Sequence, residues 1–242
     1  MPDPTTYYIA RRGKLLQLHA KMMALGRPPL AERFGPALAE QIAADTTPEF
    51  ERLIPEIPYV GGDSNSFTEL MIQSASLLAL YRVLKRHGQS ADEIGAVVHR
   101  MAEGWVGRYP RLVRSLLGRL YLSRFWRART RRKAQASQAR RYPGEFVYEV
   151  VEGGPDFEWG VNYLECGVVK FFQAQDAEAL TPHMCVLDYL LFPSIGIDLQ
   201  RTGTLAQGCT HCDFRFRRGR TPAVLPALPD PPASSQGRGD EA

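Results

Sequence analysis

Apolar residues recur at helical spacing from Tyr7 to Leu25. Ile9, Leu15, Leu16, Leu18, Met22 and Leu25 follow a 3.6-residue repeat and predict a helix. Gly26 with Pro28 and Pro29 predicts its end, and Leu30 to Ala44 predicts a second helix. From Leu53 to Gly62 the period breaks, and Pro55, Pro58, Gly61 and Gly62 predict an ordered loop. Ser66-Phe67-Thr68-Glu69 has the spacing of a capping box, and the apolar run that follows to Leu84 predicts a core helix. Ser90 to Glu93 repeats that signature and opens a helix toward Trp105. Tyr109, Leu112, Val113, Leu116, Leu117 and Leu120 then form one apolar stripe, flanked by Arg111, Arg114 and Arg119.

After Arg141 the period changes to two. Glu145 to Glu152 alternates and is rich in β-branched and aromatic residues, Gly153 to Asp156 predicts a turn, and Phe157 to Tyr163 completes a hairpin. Cys166 to Gln173 and Pro182 to Phe192 read as short helices, Ile197 to Leu205 and Cys212 to Arg217 as two more strands. A helical half followed by a mixed half with antiparallel strands predicts an α+β fold. The expected organisation is a single domain over 1–220, helical over 7–140 and mixed over 141–220. Five prolines among small residues predict a disordered tail over 221–242. No internal repeat is found.

Length and charge narrow the class. No apolar stretch approaches the roughly 20 residues that span a bilayer, and Met1 to Tyr8 lacks a positive region leading into an apolar one. A soluble, cytoplasmic protein without a membrane partner is expected. The net charge of +4 hides an asymmetry: residues 104–144 carry twelve Lys and Arg and no acid, leaving −8 for the rest. Such a block can hold phosphates or an anionic surface, but its apolar stripe favours a solvated, half-structural helix face. Nucleic-acid binding ranks last, because no stacking aromatics are interleaved along a β platform.

All four cysteines, Cys166, Cys185, Cys209 and Cys212, lie in the last third of the chain, which points to reduced thiols or ligands. Cys166 stands where a predicted strand meets a helix, a place that favours a thiolate, although a cysteine between Leu164 and Gly167 also reads as a small buried hydrophobe. Cys185 and Asp188 are three apart and, on one continuous helix, would share a face. A carboxylate beside a thiol raises the thiol pKa, so Asp188 is cast as a holder of substrate nitrogen or a proton carrier. His183 is a candidate proton partner. Cys209 and Cys212 have the spacing of half a zinc site, but no second ligand pair matches a closed module. The sequence holds no phosphate loop, HExxH or GxSxG.

Taken in order, Ile57 to Gly62 with Asn65, Glu165-Cys166, Cys185-Val186-Leu187-Asp188, Arg201 to Ala206, and Gly208 through Cys212-Asp213-Phe214-Arg215-Phe216 resemble the L-2-amino-thiazoline-4-carboxylic acid hydrolase family, over residues 7 to 218. The closing Gly-x-x-x-Cys-Asp-Phe is also similar to the end of 4-vinyl-reductase-like small-molecule-binding domains. The first resemblance implies a hydrolase that opens a cyclic amidine or amide C–N bond, taking the thiazoline to N-carbamoyl-cysteine with a cysteine nucleophile. Cys166, Cys185 and Cys212 match the family's cysteine positions, whereas Cys209 is peculiar to this chain. The expected catalytic residues are Cys185 first, then Cys166, with Asp188 and His183. Asn65, Tyr59, Glu165, Cys212 and Asp213 are expected to bind substrate. No metal and no cofactor is expected, the partner is a small-molecule substrate, and a homo-oligomeric state stays open. The alternative is a non-catalytic small-molecule-binding or sensory module.

Overall fold

The computed structural model describes residues 6–219, so the tail expected over 221–242 lies outside the described residues. Helix α1, Arg12–Phe34, runs on through Pro28 and Pro29, where the sequence predicts an end. Packing overrides the two lost backbone bonds: Leu30 is fully buried, and Gly26 lets α1 approach Met101, whose Cε would lie 3.1 Å from an added Cβ. The helix stops instead at Gly35, in the left-handed region at φ 81°. Helix α2, Pro36–Leu53, is shifted from the second helix expected over Leu30 to Ala44, whose first turn belongs to α1, and it contains Pro48. The expected loop follows, ordered by 3₁₀ turns at Ile54–Glu56 and Gly62–Ser64.

Helix α3, Phe67–Arg86, is the predicted core helix, but no capping box forms at its start. Asn65 caps instead, accepting from the Phe67 amide at 3.0 Å, while the Ser66 hydroxyl accepts from Lys133 Nζ at 3.1 Å. The second predicted box is present, with Ser90 and Glu93 capping each other at the start of α4, Ala91–Gly107. Helices α5, Arg111–Tyr121, and α6, Arg124–Ser137, complete the helical half. Only Gly118 of α5 is buried, and a Cβ there would stand 1.9 Å from the Ile195 carbonyl oxygen. Gly118→Ala must therefore push α5 off the body. It is expected to cost about 1–3 kcal/mol, read as a lower denaturant midpoint.

Strands β1, Val147–Glu152, and β2, Trp159–Glu165, form the predicted hairpin. Strands β3, Ile197–Gln200, and β4, Cys212–Arg218, extend it into an antiparallel sheet of order β1-β2-β4-β3. Between them lie α7, Gly167–Ala174, α8, Thr181–Cys185, and α9, Asp188–Ser194. The single helix expected over Pro182 to Phe192 is thus broken between Cys185 and Asp188. One sheet face carries Trp159, Val161, Tyr163, Cys212, Phe214 and Phe216, with Tyr163 directly opposite Cys212. Tyr121 from α5 and Phe192 from α9 pack against its rings, with centroids 5.0 to 5.2 Å from Phe216 or Trp159. The architecture is α+β, and the buried core cluster takes side chains from the helical and the mixed halves alike.

Candidate active site

The sheet topology gathers the reactive residues. Strand β2 runs into Cys166, β4 starts at Cys212 and β3 runs into Arg201; because β4 is antiparallel to both neighbours, all three come to one end of the sheet. The break between α8 and α9 adds Cys185 and Asp188 to the same end. Arg201 closes the group, donating from Nη1 to Asp188 Oδ2 at 2.9 Å and from Nη2 to the Cys185 carbonyl at 2.9 Å. Its guanidinium is pinned between the Tyr189 and Phe214 rings, 4.9 and 5.0 Å away.

Arg201 keeps 4% of its side-chain surface and Asp188 29%. Burial pushes the Asp188 carboxyl up to about 6 against the pull of Arg201. Asp188 thus keeps some accessible surface beside the nearly enclosed Arg201. Burial also pushes the Cys166 thiol up to about 11, partly offset by the amides of Val169 and Val168 at the start of α7, which close no cap hydrogen bond to it. Burial and then the Asp188 charge drive Cys185 higher still. Cys212 is raised by burial too, although the Leu205 amide donates to its sulfur at 3.1 Å. Cys166, Cys185, Cys212 and Asp188 thus stand within electrostatic reach of one another.

Tyr163 and Tyr121 feel the charge of Asp188 and also line a cavity of about 480 Å³ between α6, the sheet and the start of α3. The size suits a small molecule. Arg129 and Lys133 of α6 supply its cations. Neither forms an ion pair among the described residues, and burial, then Arg129, lowers the Lys133 pKa. Lys133 and Phe67 also border a smaller hollow of about 170 Å³ that contains Asn65.

Several expected site residues serve other ends. His183 faces α4: its Nδ1 would lie 2.0 Å from a Cβ on Gly95, its Nε2 is 3.5 Å from Asp92, and burial lowers its pKa. It is therefore removed from the proton-partner role. Glu165 is bound by Lys170 and Arg140, which hold its carboxyl below the usual range. Asn65 holds its own loop through Val60 and Phe67, and Tyr59 packs edge-on to Tyr7 and Tyr142. Asp213 accepts from the Thr202 and Gly203 amides, at 2.9 and 2.8 Å, and so positions the turn that carries Arg201. Of the CxxC pair, Cys209 is exposed and Cys212 buried. Sequence reasoning missed Arg201, Tyr163, Arg129 and Lys133 as site residues. The first stood within the family-like stretch, the last two within a block read as surface.

An interior carboxylate held by a nearly enclosed arginine thus lies within electrostatic reach of two tyrosines that line the cavity. The chain belongs to the L-2-amino-thiazoline-4-carboxylic acid hydrolase family, whose model matches residues 69–216. No curated protein and no solved structure gives a significant match.

Proposed function

We propose that the chain hydrolyses a small cyclic amidine, the thiazoline carboxylate of its family's description being the first candidate. The observation that carries this reading is the Asp188–Arg201 pair set among three thiols, with Tyr121 and Tyr163 standing between the charge of Asp188 and the cavity they line. A carboxyl with pKa near 6 both accepts and returns a proton near neutrality, which is what addition to and expulsion from an amidine carbon require.

Atom balance sharpens the reaction. Attack on the carbon between ring nitrogen and ring sulfur gives a tetrahedral centre. Expelling the sulfur breaks C–S and leaves the carbamoyl group on nitrogen; expelling the nitrogen would leave it on sulfur. An N-carbamoyl product therefore needs C–S cleavage, a refinement of the C–N opening expected from the sequence. Cys166 is the preferred nucleophile over Cys185, because its thiol is the less strongly raised of the two and has helix amides beside it. Asp188 takes the thiol proton and delivers it to the departing ring sulfur. Water then displaces the enzyme sulfur from the resulting isothiourea, losing its proton through Asp188, and the thiol is restored. In a second reading, favoured by the raised pKa of all three thiols, Asp188 activates water directly and the sulfurs only shape its surroundings.

Arg129 and Lys133 fit the ring carboxylate. Lys133→Gln and Arg129→Gln are expected to raise KM about tenfold or more with kcat nearly kept, the signature of lost ground-state binding. The reading itself is tested by incubating the purified protein with L-2-amino-thiazoline-4-carboxylate and a panel of hydantoins and lactams. Thiol release with a carbamoyl product supports it. Binding of a ring without turnover supports the non-catalytic module.

A further inference from the structure

Of the nine large apolar side chains exposed among the described residues, eight lie between Trp105 and Phe125. The predicted apolar stripe of α5 is therefore not a core face. Leu112 and Leu116 are 85% and 67% exposed, while Gly118 on the opposite side makes the contact with the body. Leu117 and Leu120 widen the apolar arc, and Phe125 continues it to the lip of the cavity. Arg111 and Arg119 stand along one edge of that arc, with Arg108 and Arg124 at the ends of the helix. Of the twelve cations of residues 104–144, two, Arg131 and Arg140, form ion pairs among the described residues.

We propose that α5 and its flanks are a docking face for an anionic phospholipid surface, on which the helix lies in the plane of the interface. The charge decides between occupants. A second copy meeting this face symmetrically would set Arg111 and Arg119 against their own counterparts, whereas lipid headgroups neutralise them while leucines and Trp105 enter the acyl boundary. An apolar arc of Leu, Trp and Phe beside an arginine edge is the composition of interfacial helices. No helix among the described residues is long and apolar enough to cross a membrane, and the contact proposed is a peripheral one.

The test is co-sedimentation of the full chain with vesicles of phosphatidylcholine alone and of phosphatidylcholine with phosphatidylglycerol, at low and high salt. The expected result is binding to the anionic vesicles at least about tenfold stronger than to the neutral ones, weakened by salt. Leu112→Glu with Leu116→Glu, and separately Arg111→Glu with Arg119→Glu, should each reduce it about tenfold or more, with the thermal midpoint unchanged because these side chains are exposed. The proposal is overturned if anionic vesicles fail to bind, or if both double variants bind like the parent. It is equally overturned if the face proves to join two copies, seen as a dimer in sedimentation that the leucine variants dissociate.

Discussion

Asp188→Asn is expected to lower turnover about 10²- to 10⁴-fold, the range that a positioned proton carrier contributes, and to abolish the acid limb of the pH profile. The sign follows from the raised pKa. Below about pH 6 the carboxyl holds its proton and cannot accept one, so kcat/KM in the parent should rise with pH through about 6. The asparagine variant should show no such rise. Arg201→Met removes the guanidinium that holds the carboxyl down, so the limb should move to higher pH, alongside a loss of stability from an unpaired interior carboxylate. A parent profile flat between pH 5 and 8 would rule out Asp188 as the proton carrier.

Cys166→Ser is expected to reduce turnover by about 10³-fold or more while the ring still binds, and Cys185→Ser to leave most of it. Peptide mass mapping after rapid quench and digestion should find substrate carbon on the fragment containing Cys166. If both serine variants turn over normally, direct attack by water takes the place of the covalent route, and the Asp188 prediction stands unaltered. If Cys185→Ser is the dead variant, Cys185 is the nucleophile, and the nearness of Asp188 as proton acceptor outweighs the rise that its charge imposes on that thiol.

What was legible in the sequence was what short range decides. The 3.6-residue period of α3 and α4, the Ser90 capping box and the two-residue period of the hairpin depend on neighbours along the chain, and each appears in the fold. Pro28 and Pro29 misled because the burial of Leu30 and Gly26, settled by α2 and α4, outweighs two missing backbone bonds. Ser66 misled because Lys133, 67 residues away, occupies the hydroxyl that would have capped. The thiols and Asp188 could be picked out as reactive groups in apolar surroundings. Arg201 could not, since its partners depend on where β3 ends and on the break between α8 and α9. His183 sits two residues from Cys185 yet points into another helix, a reminder that neighbours in sequence need not share a site.

The chain's three tryptophans stand in three different environments. Trp105 is 41% exposed on the basic apolar face, edge-on to Tyr109; Trp126 lines the cavity; Trp159 is 1% exposed, stacked on Phe216 in the core. The protein thereby carries its own optical reporters, with no label required. In variants that keep one indole each, emission from Trp105 should shift to the blue when vesicles bind, emission from Trp126 should change when a ligand enters the cavity, and emission from Trp159 should move only when the sheet unfolds. Surface attachment, occupancy and unfolding can then be followed as separate signals from a single polypeptide.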